Sequence, residues 1–375
     1  MNIKFYKHNI NNQDIELVNK VIESDFLSTG REVEEFEKDF ADYFKVKYCL
    51  GTTNCSSALL ISLKALGVGE GAEVITTPLA YPATANAIEL AGAKVRFVDV
   101  NRETGLLNED LIEENINENT RAIIPIHLYG RMLDMRRVYG LVQKYNLKII
   151  EDAAQAIEGE RDNYQPGKFS DITVFSFYTL KAITSGEGGS LISNNKELYD
   201  KLKLLRYHGL KKIPYQRIDK SNYIPYEMTH LGYKFNMNNI QAALLINQLK
   251  RINVLWSSRK KIVEKYNDAF NKIKQIKLLN EIPNCKSAYH LYTIQVDKEV
   301  RDDLLKYLKE KGVEVTINYY PIHLLAYYQN RYGYKLGDFP NAENIGSGTI
   351  TLPLYPKLKD QEVKYIIGIV RDYFK

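Results

Sequence analysis

Two side chains stand out by type, surroundings and spacing: an amine and a carboxylate. Lys181 lies in the stretch Asp171 to Gly189, DITVFSFYTLKAITSGEGG, and Asp152 lies in Leu147 to Glu158, LKIIEDAAQAIE. They are separated by 29 positions (181 − 152), room for one connection and one further strand. A lysine amine can bond covalently with a carbonyl and carry protons, and a carboxylate keeps a neighbouring cation charged. If both opened into one cleft, they would be equipped for carbonyl chemistry. A buried ion pair would look the same from the sequence, and Lys181 alone would pass for a solvated loop lysine.

The elements that would position them are strands. Ile172 to Phe175 is apolar and β-branched, the pattern of a strand buried on both faces, and Gly, Ser and Thr residues after it form a loop. Leu147 to Ile150 is a second such strand, ending in Glu151 and Asp152. Open α/β sheets bind ligands beyond the carboxyl ends of their strands, which is where these two segments deliver Asp152 and Lys181.

Further strands fall at Lys47 to Leu50, Glu73 to Thr77, Lys94 to Val98, Arg121 to Ile126 and Ser190 to Ser193. Helices are expected at Asp14 to Glu23, after Gly30, at Ala58 to Leu66, after Pro78, at Asn108 to Ile116 and at Glu197 to Arg206. Alternation at this pitch predicts an α/β fold with a large, mainly parallel sheet covered on both faces. The stretch Gly51 to Ser57, rich in small hydroxyl residues before a helix, would form an anion site or simply cap the helix. The glycines at 186, 188 and 189 point to close backbone approach, without the spacing of a nucleotide fingerprint.

From Leu210 to His230 the sequence is irregular, which at this length suggests a functional loop. A long helix starts at Asn238 and runs through Tyr266 with a bend near Asn253 to Trp256. A smaller α/β unit follows, with strands at Tyr289 to Val296 and Val313 to Asn318 and helices at Arg301 to Lys311 and Asp360 to Phe374. The expected division is a large domain at 1–250 and a small C-terminal domain at 251–375.

Composition sets bounds. A chain of 375 residues, 45% hydrophobic and 26% charged, can bury a sizeable core. Its net charge of +5 arises from 51 basic and 46 acidic residues scattered along the chain. That balance argues against nucleic acid as a partner and suits an anionic small molecule. Cys49, Cys55 and Cys285 match neither a metal-ligand spacing nor a disulfide framework, so no metal is expected and a cytoplasmic setting is. Neither a signal peptide nor a membrane-spanning apolar run is present, so no membrane association is expected.

The segments EDAAQA and FSFYTLKAITSGEGG resemble the DegT/DnrJ/EryC1/StrS family of pyridoxal phosphate (PLP) sugar aminotransferases, and the similarity extends from about Leu27 to the C-terminus. It implies the aspartate aminotransferase-like fold (fold type I). It also implies that Lys181 forms the internal Schiff base with PLP, that Asp152 pairs with the pyridinium nitrogen, that Gln155 meets the ring hydroxyl and that Ser176 helps hold the phosphate. Cys55 and Ser56 fall in the phosphate loop, where the family usually has Ser-Gly-Thr or a close variant. Tyr81 falls where an aromatic ring stacks on the pyridine, and the turn at His127 would lie beneath the cofactor.

Lys234 stands where most members have an Asn that reaches the phosphate in the other subunit of a dimer, and Asn236 stands where Arg is common. Lysine at 234 resembles the branch of 4-amino-4-deoxy-arabinose-type aminotransferases. Thr29, Gly30 and His323 fall near the substrate in the family. Each has a plainer reading: a helix cap for the Ser28-Thr29-Gly30 turn, packing for Tyr81, an exposed lysine at 234 and a loop histidine at 323.

The resemblance therefore implies transfer of an amino group from glutamate to a nucleotide-linked keto-deoxysugar at carbon 4, in a homodimer with active sites at the subunit interface. A carbon 3 aminotransferase and a non-catalytic PLP-binding regulatory protein of the same fold remain alternatives. Dehydratase members of the family replace the lysine with histidine, so Lys181 argues against that branch. An oxidoreductase of the Rossmann type fails for want of a G-x-G-x-x-G after an early strand.

Overall fold

The computed structural model describes residues 1–211, 218–219, 222–223 and 227–375. Much of the loop expected between Leu210 and His230, including Pro214 and Pro225, lies outside the described residues.

A seven-stranded sheet dominates. Its strands are β1 (Tyr48–Thr52), β2 (Glu73–Thr76), β3 (Lys94–Phe97), β4 (Thr120–Ile123), β5 (Lys148–Asp152), β6 (Ile172–Ser176) and β7 (Gly189–Ser193), in the spatial order β1-β7-β6-β5-β4-β2-β3. Pairing is parallel from β3 through β2, β4 and β5 to β6, whereas β7 runs antiparallel to both β6 and β1. Two reversals restore the direction, so β1, β2, β4, β5 and β6 all present their carboxyl ends at one edge. The amino end of β7 meets them there.

The helices before, between and after these strands are α1 (Asn12–Ile22), α2 (Arg31–Phe44), α3 (Cys55–Ala65), α4 (Ala83–Leu90), α5 (Met135–Tyr145), α6 (Lys196–Arg206) and α7 (Asn239–Lys250). Strand side chains alternate between faces, and the two cores follow that alternation. Ile75, Ile123, Ile149, Phe175 and Ile192 join a core with α2, α5 and α7. Their neighbours Val74, Ala122, Ile150, Val174 and Leu191 join the opposite core with α3 and α4. Each such Val, Leu, Ile or Phe side chain, fully buried, contributes about 1.5–3 kcal/mol, so register and direction are both strongly fixed.

Beyond α7 the backbone turns at Arg251 (φ −108°, ψ 14°) into α8 (Ile252–Phe270). The break comes two residues before the expected bend. A third core gathers Ile3, Tyr266, Phe270, Ile294, Leu304, Ile350 and Ile366. Its strands β8 (Tyr292–Gln295) and β9 (Thr349–Leu352) pair antiparallel, and α9 (Lys298–Glu310) and α12 (Asp360–Tyr373) cover them. Two short helices, α10 (Ala326–Tyr332) and α11 (Pro340–Gly348), lie between α9 and β9. Among the described residues no helix is long and apolar enough to cross a membrane.

Two expected elements take other forms. Instead of one helix over Asn108 to Ile116, there are 3-10 turns at Glu109–Leu111 and Glu113–Asn115. Asn108 caps the first through Asp110 N–H, and Asn115 bonds back to Leu111 O, so local polar side chains satisfy the backbone without a full helix. Instead of a strand at Val313 to Asn318, only isolated bridges form, Ile3 with Val313 and Thr316 with Thr351. The N-terminal segment supplies the partner there, which the local pattern does not reveal.

Candidate active site

The shared strand edge surrounds a cavity of about 520 Å³. Asn54, Cys55 and Ser56 line it from the start of α3, Tyr81 from the β2–α4 connection and Thr84 from the first turn of α4, Asp152 from the end of β5 and Gln155 from just beyond it, and Ser176 from the end of β6 and Lys181 from the loop after it. His290 and Tyr319 close it from the C-terminal third of the chain.

Strand alternation decides which acid at the end of β5 reaches the cavity. Asp152 shares the face of Ile150; its Oδ2 accepts from Thr84 Oγ1 at 2.6 Å and its Oδ1 from Ala154 N–H at 3.0 Å. Glu151 points to the other face and is wholly occupied. It accepts from Gly167 N–H at 2.7 Å, Ser170 Oγ at 2.9 Å and Thr173 Oγ1 at 3.0 Å. His127 Nδ1 accepts from Leu133 N–H, so Nε2 carries the hydrogen and donates to Glu151 Oε1 at 2.7 Å. Burial pushes the Glu151 carboxyl up, but His127, Gly167 N–H and Ser170 more than offset it and hold it below its usual value. His127 is thus buried and satisfied, holding the turn beneath the cavity.

Lys181 sits in the loop from Phe177 to Gly188, pinned by Phe177 N–H to Gly188 O at 2.8 Å and Lys181 N–H to Tyr178 O at 2.9 Å. Among the described residues its Nζ has no hydrogen-bond acceptor. Burial lowers the pKa of the amine, while Cys55 and Asp152 pull the other way. A lowered pKa leaves more of the amine neutral and nucleophilic near neutral pH.

Helix α3 turns its amino end to the same cavity. Asn54 Oδ1 caps Ser57 N–H at 2.8 Å, and helix geometry leaves the Cys55 and Ser56 amides without intrahelical partners. Such a terminus favours an anion. Gly189 at the start of β7 crosses it so closely that a Cβ there would lie 2.4 Å from Asn54 C and 2.6 Å from Cys55 N. The cradle depends on that glycine.

A network of aromatic and amide groups forms the remaining wall. Gln155 Oε1 accepts from Tyr129 N–H at 2.7 Å and its Nε2 donates to Tyr319 Oη at 3.2 Å. Tyr81, 65% exposed, meets the Tyr319 ring edge-on with centroids 6.2 Å apart. His290 is buried, and burial first, then the charges of Lys181 and Arg259, lower its pKa well below the ordinary histidine value, so its imidazole stays neutral.

Seven of the expected site residues therefore share one cavity: Lys181, Asp152, Gln155, Ser176, Cys55, Ser56 and Tyr81. Four lie elsewhere in the chain. Thr29 donates to Met237 O at 2.9 Å and lines a separate cavity of about 640 Å³ with Asn236. Gly30 is the residue before α2 and makes no side-chain cap; a Cβ on it would lie 2.8 Å from Asn239 Nδ2. Close approach to α7 accounts for it better than capping does. Lys234 Nζ lies 4.1 Å from the Tyr207 ring centroid. His323 is buried, with Nε2 at 2.8 Å from Glu343 Oε1 and its ring against Phe339. It faces α11 and not the cavity, because Glu343 and the Phe339 ring hold it there.

Thr84, His290 and Tyr319 escaped the sequence reading. Thr84 belongs to a helix start, where hydroxyl residues are common caps, and nothing local ties 290 or 319 to strands more than a hundred residues earlier. Only the folded chain brings them to Asp152 and Gln155.

Residues 8–371 match the family model described as the DegT/DnrJ/EryC1/StrS aminotransferase family. A Bacillus subtilis protein named spore coat polysaccharide biosynthesis protein SpsC is 36% identical over 98% of this chain and 95% of its own length. A Campylobacter jejuni protein named UDP-4-amino-4,6-dideoxy-N-acetyl-beta-L-altrosamine transaminase is 33% identical over 96% of this chain and 95% of its own. Among solved structures, a Streptococcus pneumoniae chain named as a sugar aminotransferase, in its PMP form, superposes with a TM-score of 0.93 at 30% identity, covering 99% of this chain and 98% of that one.

Proposed function

Because this chain belongs to the DegT/DnrJ/EryC1/StrS aminotransferase family, we propose that it is a PLP-dependent aminotransferase acting on a nucleotide-linked keto-deoxysugar. The amino donor is glutamate, and the acceptor carbon is carbon 4, as the name of the Campylobacter relative suggests for that protein. The observation that carries this reading is the meeting of the Lys181 amine, the Asp152 carboxylate and the free amides of α3 in one cavity.

The residues present fit the cofactor. Lys181 would be the amine that binds its aldehyde, and Asp152, held by Thr84, would keep the ring nitrogen protonated. Cys55 and Ser56 backbone amides with Ser176 would receive the phosphate, Tyr81 would flank the ring and Gln155 would meet the ring hydroxyl. Bound PLP supplies an electron sink that makes the substrate carbon acidic. Lys181 Nζ would then hold or give up a proton as general acid or base in the cavity.

Lys234 is assigned to the cofactor phosphate of a second copy of the chain, in a homodimer, and Thr29 and Gly30 to the substrate side of the site, whereas His323, buried against Glu343 and Phe339, is not carried forward as a substrate residue. The division of labour follows the chain: residues 1–250 hold the cofactor, and 251–375 form the smaller domain, whose His290 and Tyr319 close the cavity. We assign the enzyme to the cytoplasm, where Cys49, Cys55 and Cys285, all unpaired thiols, stay reduced. The test is incubation of PLP-loaded protein with glutamate and a panel of nucleotide ketosugars. Amination at carbon 4 of one of them is expected; amination at carbon 3 would move the acceptor position, and loss of no amino group from glutamate would overturn the enzyme reading in favour of a regulatory PLP-binding protein.

A further inference from the structure

Gln155 is clamped at both ends of its amide. The Tyr129 backbone N–H can only donate, so the atom facing it at 2.7 Å is the amide oxygen, Oε1. Nε2 is thereby turned the other way, where one of its hydrogens goes to Tyr319 Oη at 3.2 Å. Its second hydrogen has no acceptor among the described residues, and the residue borders the cavity. Burial, with the charge of Asp152 beside it, raises the Tyr319 pKa, so the hydroxyl stays neutral and available as the acceptor.

Tyr319 is itself held by Tyr129. The two rings stack with centroids 6.1 Å apart at 20°, and the Tyr129 hydroxyl donates to Asn318 O. Gln155 and Tyr319 are only 8% and 9% exposed. One buried tyrosine of the first 250 residues thus fixes both the amide oxygen and the ring that orients the amide nitrogen.

We propose that Tyr319 is a positioning residue that fixes the Gln155 amide with its free N–H towards the ring oxygen of the bound cofactor, and so sets the pH at which the holoenzyme's visible band changes. The inference rests on the PLP reading above. A donor at that oxygen stabilises it most when it is fully anionic, which is the state after the nitrogen joining Lys181 to the cofactor loses its proton. A well-held donor therefore lowers the pH midpoint of the band. Loosening the amide weakens the donation and raises the midpoint.

The test is a spectrophotometric pH titration of the PLP-loaded wild type, Tyr319→Phe, Gln155→Ala and the double variant. Phe at 319 keeps the stacked ring and removes only the hydroxyl, so the fold is retained. The Tyr319→Phe midpoint is expected to rise by about half a pH unit or more, as one hydrogen bond allows. The double variant is expected to match Gln155→Ala alone, because Tyr319 acts through Gln155. A Tyr319→Phe midpoint equal to wild type, or a double-variant shift equal to the sum of the single shifts, overturns the inference while leaving the PLP reading intact. A wild type that takes up no cofactor overturns both.

Discussion

Glu151 and Asp152 are adjacent in sequence and do different work, because a strand sends consecutive side chains to opposite faces. The Asp152 carboxylate lines the same cavity as Lys181, and Asp152→Asn is expected to lower turnover by about 10²-fold or more while the protein remains folded, checked by steady-state assay beside circular dichroism. Glu151→Ala should do the reverse, costing about 3 kcal/mol or more in urea unfolding, because it strands His127, Ser170, Thr173 and the Gly167 amide inside the fold. His290 gives a pH prediction. Its folded pKa lies well below the ordinary 6.5, so as pH drops below about 6.5 the unfolded chain binds a proton that the folded chain refuses, and stability falls on the acid side. His290→Gln should flatten that loss between about pH 7 and pH 5 in thermal melts. The type and neighbours of Lys181 and Asp152 made them legible in the sequence, whereas His290 and Tyr319 gain meaning only from what folding puts beside them.

At the scale of elements, the site is a property of the sheet edge. Antiparallel β7 lets its first residue pass the start of α3, and the 2.4 Å approach at Gly189 makes that crossing intolerant of any side chain. Gly189→Ala should push the Asn54–Ser56 loop from its place and weaken PLP binding by at least about tenfold, read by equilibrium titration of the apoprotein, since about 1.4 kcal/mol of displacement suffices. The strands and most helices were legible because apolar runs and caps are local signals. The 3-10 turns at 109–115 were not, because an amphipathic stretch there is diverted by the Asn108 and Asn115 side chains. The strand expected at 313–318 was misread because its partner, Ile3, comes from the other end of the chain.

For the whole molecule, the four expected residues outside the cavity matter most. Lys234 rests over Tyr207 and Thr29 borders a different cavity, so neither lines the cavity of Lys181, and the proposed homodimer is what would bring Lys234 to a site. Inactive Lys181→Ala and Lys234→Glu proteins, mixed and refolded together, are expected to regain turnover, because in the proposed homodimer one of the two sites of a mixed pair would carry both native residues. Failure to regain activity would return Lys234 to a role within its own protomer. The most direct test of the account remains chemical: borohydride reduction of the PLP-loaded protein, followed by peptide mass analysis. The account predicts a pyridoxyl group fixed to Lys181, and a protein that carries it on another lysine, or carries none, contradicts it.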